Sequence, residues 1–188
     1  IMDYAAKRCK FNAFDSFNFP HLCDAGVNFT YHEHLILKPN FKKPMVPHTH
    51  MDPHVMALSL FPGLQEDIVQ QILEVPNLRG IVMRSYGSGN APQTAWLTHL
   101  LSQAAAEREV VVVNVSQCVW GNVEMSRYDN GYQLQNAGVV SGYDSTVEAA
   151  LAKLMFLQAQ YDDYNTICRK MKQSIAGEIT LPPNVTMN

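Results

Sequence analysis

At 188 residues the chain holds one domain plus a modest extension, taking roughly 150 residues per domain. Its 14 Lys and Arg against 17 Asp and Glu leave a formal net charge of −3, which excludes a nucleic-acid grip built on a clustered basic face. A hydrophobic share of 47% with 16% charged residues excludes wholesale disorder, and no apolar run approaches the roughly 20 residues of a membrane-spanning helix.

The chain starts at Ile1, not Met, and is expected to be a piece of a longer protein. Residues 1–54 read as an arm and interdomain connection: aromatic-rich through residues 11–20, then carrying Pro39, Pro44, Pro47 and Pro53, the composition of a connection or a small edge hairpin. Residues 55–188 read as a domain in which strand alternates with helix. Residues 55–61 predict a strand closed by Pro62-Gly63, and Leu64, Ile68 and Ile72 then recur on one face of a helix. Ile81-Val82-Met83 is a second strand. After a glycine-rich loop, Leu97, Leu100, Leu101 and Ala104 stripe a second helix, with Pro92 in its first turn. Val110-Val111-Val112-Val113 predicts a third strand, apolar throughout as expected when both faces are covered, and Val139-Val140 a fourth. Ser145-Thr146-Val147-Glu148 is a capping-box pattern opening a third helix, striped by Val147, Leu151, Leu154 and Met155. A fourth helix covers residues 164–175 and stops at Gly177. The predicted class is α/β: a small open parallel sheet of about four strands, helices on both faces, joined by right-handed crossovers.

In such sheets ligands sit beyond the carboxyl ends of the strands. Three predicted strand ends carry polar loops: Arg84-Ser85-Tyr86-Gly87-Ser88-Gly89-Asn90, Asn114-Val115-Ser116-Gln117-Cys118 and Ser141-Gly142-Tyr143-Asp144-Ser145. If the strands are neighbours, the loops face one region. Gly87 and Gly89 permit positive φ and close approach, the helix N-terminus beyond them favours a carboxylate or phosphate, and Asn90 offers both a donor and an acceptor. The plainer reading of Asn90 is a helix cap. A dinucleotide fingerprint fits badly, because Pro92 stands where a third glycine belongs and no acid ends the third strand. His48, His50 and His54, with His32 and His34 upstream, alternate as strand ligands would, but the stretch is proline-rich and lacks a Cys ligand, so no metal is expected. Cys118 has no histidine nearby to activate it. Cys9, Cys23, Cys118 and Cys168 form no Cys-x-x-Cys pair and point to a reducing, cytoplasmic compartment. The glycosylation sequons at Asn28, Asn114 and Asn184 read as chance, because Asn114 ends a core strand. Alone, the residues describe a ligand-binding α/β domain without a nucleophile.

The stretch Leu78-Arg79-Gly80-Ile81-Val82-Met83-Arg84-Ser85-Tyr86-Gly87-Ser88-Gly89-Asn90-Ala91-Pro92-Gln93 resembles the type I, cytoplasmic-type L-asparaginases. So do Val111-Val112-Val113-Asn114-Val115-Ser116-Gln117-Cys118, Ala137-Gly138-Val139-Val140-Ser141-Gly142-Tyr143-Asp144, Glu148-Ala149-Ala150-Leu151-Ala152-Lys153-Leu154 and Gly177-Glu178-Ile179-Thr180, in the family's order. Phe14-Asp15-Ser16-Phe17-Asn18-Phe19-Pro20 looks like the approach to the interdomain connection, so the resemblance covers nearly the whole chain.

The resemblance implies a Rossmann-like C-terminal domain of a hydrolase that converts L-asparagine to L-aspartate and ammonia without metal or organic cofactor. Family members work as homodimers or dimers of dimers, away from nucleic acid and membrane. Their nucleophile is a threonine of an N-terminal domain, in Thr-Gly-Gly-Thr and Gly-Thr-Asp-Thr type motifs. Neither motif is present here, and none of Thr49, Thr94, Thr98, Thr146, Thr166 and Thr180 stands in such a context, so no catalytic residue is expected in this chain. Asn90 matches the family asparagine that reaches a neighbouring subunit's active site and holds the substrate's α-amino end. Arg84, Ser85, Tyr86 and Cys118 match loops that contribute to an allosteric asparagine site between subunits. Glu124 lies near the position of a glutamate in secreted type II relatives, but the pattern departs there and that role is not carried over. Animal relatives add ankyrin repeats and a lysophospholipase activity. The alternatives are a non-catalytic amino-acid-binding or interaction module and a subunit of a tRNA-dependent amidotransferase.

Overall fold

Val110 to Val113 continues past its expected end, because Asn114, Val115 and Ser116 stay extended and paired with the strand at residues 80–85. The computed structural model describes residues 19–38, 42, 44–125 and 129–181. Within them the elements are β1 (Cys23–Ala25), β2 (Phe29–Tyr31), a 3₁₀ turn (Glu33–Leu35), β3 (Val55–Ser59), α1 (Glu66–Leu73), β4 (Gly80–Ser85), α2 (Ala95–Arg108), β5 (Val111–Ser116), α3 (Asp129–Asn136), β6 (Val140–Ser141), α4 (Val147–Gln160) and α5 (Tyr164–Met171). β3 to β6 form a parallel sheet in chain order, β3-β4-β5-β6, with Ser59 beside Arg84, Ser85 beside Ser116 and Asn114 beside Ser141. The aromatic segment 11–18, Cys9, Pro39 and Asn184 lie outside the described residues.

Alternation along the strands sorts the core into two layers. Ile81, Met83 and Val112 face α1, α2 and α3 through Val69, Leu73, Leu97, Leu101 and Leu134. Val82, Val111, Val113 and Val115 face α4 and α5 through Leu154, Leu157, Ile167 and Met171. Helices therefore cover both faces of a four-stranded parallel sheet, as expected.

Several boundaries differ from the sequence pattern. α1 turns Val69 and Leu73 to the sheet and leaves Ile68 46% exposed. Leu64 and Ile72 pack half-buried against the same core, so the expected stripe holds at those two positions and fails at Ile68. α2 begins only at Ala95, so Pro92 precedes it and Asn90 is no helix cap. α3 was not expected: in Asp129–Asn136 Leu134 is the apolar side chain that reaches the core. α5 stops at Met171, four residues short of the predicted end. The cap of α4 is Thr146, whose hydroxyl accepts from the Ala149 amide at 3.2 Å, while Ser145 turns inward and donates to the Gly142 carbonyl at 2.8 Å. Thr146→Ala should lower stability by about 1 kcal/mol, read from the urea midpoint at unchanged m-value.

Residues 44–54 lie along α4 without helix or strand. The Asp52 amide donates to the Met155 carbonyl at 3.0 Å, and its carboxylate accepts from Arg79 at 2.8 Å and pairs with His54 at 2.6 Å. Burial pushes the Asp52 carboxyl up, but its bonds from His54 and Arg79 outweigh this and hold it below the ordinary aspartate range. His48 bonds Gln160 at 2.9 Å and stands edge-on to Phe156. Asp24, in the β1–β2 hairpin, contacts His21 and His32. Several of the clustered histidines thus serve local packing. Among the described residues no three His, Cys, Asp or Glu side chains converge on one point.

Candidate functional site

The loops after β4, β5 and β6 meet because those strands are adjacent and parallel. After β4 the backbone reverses at once. Tyr86 and Asn90 exchange both amide-to-carbonyl bonds at 2.8 Å, closing Gly87-Ser88-Gly89 into a tight turn with φ +50° at Gly87 and +103° at Gly89. Both backbone groups of Asn90 are thereby taken, and its half-buried carboxamide projects from a fixed base.

The end of β5 and the loop after it hold this turn. Asn114 Nδ2 donates to the Gly89 carbonyl at 2.9 Å, and Ser116 Oγ donates to the Gly87 carbonyl at 2.5 Å. Gln117 donates its amide nitrogen Nε2 to the carbonyls of Leu60 and Arg84, at 2.6 and 2.9 Å, joining the ends of three neighbouring strands. Further along, the Glu124 amide donates to the Ser88 carbonyl at 3.0 Å. The third loop joins through the Gly142 amide, which donates to the Asn114 carbonyl at 2.8 Å, and through the Val123 amide, which donates to the Tyr143 carbonyl at 3.0 Å. Tyr143 sits at φ +54°, a conformation that bulky L-residues rarely adopt, and burial raises its phenol above the ordinary value.

The five residues singled out from sequence are placed differently from one another. Asn90 stands on the rigid turn. Alternation puts Arg84 on the α4–α5 side of β4, with its guanidinium 3.3 Å from Ser59 Oγ and its Nε buried without a partner. Ser85 is on the opposite face, wholly buried, with its hydroxyl donating to the Val115 carbonyl at 3.3 Å. Tyr86 packs against the α1–α3 layer with its hydroxyl buried and unpaired. Cys118 is exposed, a free thiol whose amide donates to Ser116 Oγ at 2.9 Å. A cleft of about 790 Å³ opens beside these loops, between Trp120, Glu124, Tyr143, Asp144 and Lys172, and none of the five lines it. Sequence reasoning missed Asn114, Ser116 and Gln117 as supports of the Asn90 turn. The signal was a lone amide in an otherwise apolar strand, which reads as a strand end unless the neighbouring loop is known.

The family model described as the glutaminase/asparaginase C-terminal domain matches residues 54–171. L-asparaginase 1 of Escherichia coli (strain K12) is 39% identical over 171 residues, covering 90% of this chain and 49% of that protein. The 60 kDa lysophospholipase of Mus musculus is 38% identical over 174 residues, covering 92% of this chain and 30% of that one. Among solved structures, L-asparaginase I from Vibrio cholerae superposes with a TM-score of 0.83 at 36% identity, over 90% of this chain and 50% of that one. The chain thus spans about half the length of the asparaginases it matches, and less of the lysophospholipase.

Proposed function

The chain belongs to the glutaminase/asparaginase C-terminal domain family, and from that premise we propose that it is the C-terminal half of an L-asparaginase, hydrolysing L-asparagine to L-aspartate and ammonia in the cytoplasm. Residues 1–54 lead in from a catalytic N-terminal half that carries the threonine nucleophile, and residues 55–188 act as a binding domain without a cofactor. Asn90 holds the substrate's α-amino end across a subunit interface in a homodimer or dimer of dimers. Arg84, Tyr86 and Cys118 take a second asparagine as effector, Arg84 facing its carboxylate, while Ser85, wholly buried, makes no contact with it.

The observation that carries this reading is the fixed base of Asn90. A carboxamide whose backbone is locked at both N–H and C=O is positioned before substrate arrives, so binding spends little on ordering it. In the full-length protein Asn90→Ala should raise KM for asparagine about tenfold, the scale of one hydrogen bond to a charged ammonium, with a smaller change in kcat. Unchanged KM would remove Asn90 from substrate contact. Asparagine binding without hydrolysis by the full-length protein would move the reading to a non-catalytic module. The acidic charge balance argues against an amidotransferase acting on tRNA.

A further inference from the structure

Asn114 is a wholly buried amide in the middle of a hydrophobic strand. It shares a face with Val112, toward the α1–α3 layer, where a leucine, branched alike though larger, would bury without polar cost. Its Oδ1 is buried with no partner, so the side chain carries an unsatisfied acceptor into the core. The compensation is at Nδ2, which donates to the Gly89 carbonyl at 2.9 Å.

The Gly89 carbonyl belongs to the peptide that ends at Asn90 nitrogen. On the side of the same glycine where a Cβ would lie 3.3 Å from Asn114 Nδ2, Val123 also packs so closely that this Cβ would lie 2.7 Å from its Cγ1, and the amide of the next residue, Glu124, donates to the Ser88 carbonyl. The peptide plane before Asn90 is therefore held at its N–H by the Tyr86 carbonyl and at its oxygen by Asn114, with Val123 packed beside the glycine. Rotation of that plane would swing the Asn90 side chain, and among the described side chains Asn114 is the one bonded to its oxygen.

We propose that Asn114 is a positioning residue: its amide orients the Gly89–Asn90 peptide and so aims the Asn90 carboxamide at the substrate. This rests on the reading of Asn90 as a substrate contact. It assigns Asn114 no contact with the reacting atoms, so the effect belongs in substrate affinity, not in the chemical step.

The test compares the full-length protein with Asn114→Leu, Asn90→Ala and the double variant, measuring kcat and KM for L-asparagine. Asn114→Leu should raise KM roughly fivefold or more with kcat within about twofold, and should add nothing to KM once Asn90 is alanine. Asn114→Ala, which is smaller and withdraws the donor without overfilling the core, should behave the same way if the leucine variant does not fold. An increase in KM of the same size in both backgrounds, or unchanged KM in a folded Asn114 variant while Asn90→Ala alone weakens binding, overturns the proposal and leaves the Asn90 reading intact. Unchanged KM in Asn90→Ala overturns that reading and the proposal together.

Discussion

Replacing Lys153 with methionine should cost about 3–5 kcal/mol of folding stability, more than any single cap or surface contact in the chain. Lys153 lies buried on α4, and all three of its donors are taken: by the carbonyls of Met171 at 2.9 Å and Gln173 at 2.5 Å, and by Glu178 Oε1 at 2.6 Å. Glu178 is itself nearly enclosed and also accepts from the Ile175 and Ala176 amides. Methionine fills the stem's volume but strands a buried carboxylate and two carbonyls. The double variant Lys153→Met/Glu178→Gln should lose less than the sum of the single losses, because it removes both charges together. Urea denaturation of the four proteins checks this, and strict additivity would mean that the pair is not coupled.

The same pair sets a pH dependence. Burial pushes the Glu178 carboxyl up, but hydrogen bonds from Lys153 and the Ala176 amide, with the lysine's charge, outweigh it and leave the carboxyl below the ordinary glutamate range. Burial pushes the Lys153 ammonium below the ordinary lysine range, and Glu178 offsets only part of that. A carboxyl whose folded pKa is below its unfolded one contributes fully above the unfolded value, and the contribution is lost as pH falls through the folded one. Stability of the parent should therefore drop on the acid side of the ordinary glutamate pKa, and the double variant should show a shallower acid limb.

The second large effect is expected at Gly89. Alanine there would have to adopt φ +103° with its Cβ 2.7 Å from Val123 Cγ1 and 3.3 Å from Asn114 Nδ2. Backbone strain and overpacking together should cost about 3 kcal/mol. Whatever relief the loop finds must move the peptide before Asn90, and a displacement near 1 Å at a positioning group costs on the order of 10²-fold in kcat/KM. Gly87→Ala is the matched control. Its φ is +50° and nothing lies within 4 Å of the added Cβ, so about 1 kcal/mol and little kinetic change are expected. Equal losses in the two variants would show that the turn tolerates no side chain anywhere, and would detach the effect from the Val123 contact.

The strands and most of the helices were legible because burial writes a period into the chain: Val110 to Val113 for a doubly covered strand, Leu97, Leu101 and Ala104 for an inward helix face. α3 was not legible, since a short helix that contributes Leu134 to the core has no period to show. The capping box was read one residue early because Ser145 and Thr146 both qualify by type. Which hydroxyl meets the Ala149 amide depends on the path out of β6. In the candidate site, Gly87, Gly89 and Asn90 were visible as a turn with a polar end, whereas Ser85, just before them in sequence, is the last residue of β4 with its side chain turned into the core.

What the amino-acid sequence determined by itself is the class of the fold and the place of its polar loops. Apolar periodicity and turn residues act between near neighbours along the chain, and those are readable without coordinates. What only the tertiary structure decided is which groups meet. Asn114 becomes a support for Asn90 because β4 and β5 pair in the register that sets Gly80 beside Val111 and Ser85 beside Ser116. Lys153 becomes an anchor because the segment after α5 folds back over α4. A hydrogen bond needs its partner within about 3 Å, and over separations of 18 residues or more, as in these contacts, that distance is set by the packing of whole elements, not by the residues between them.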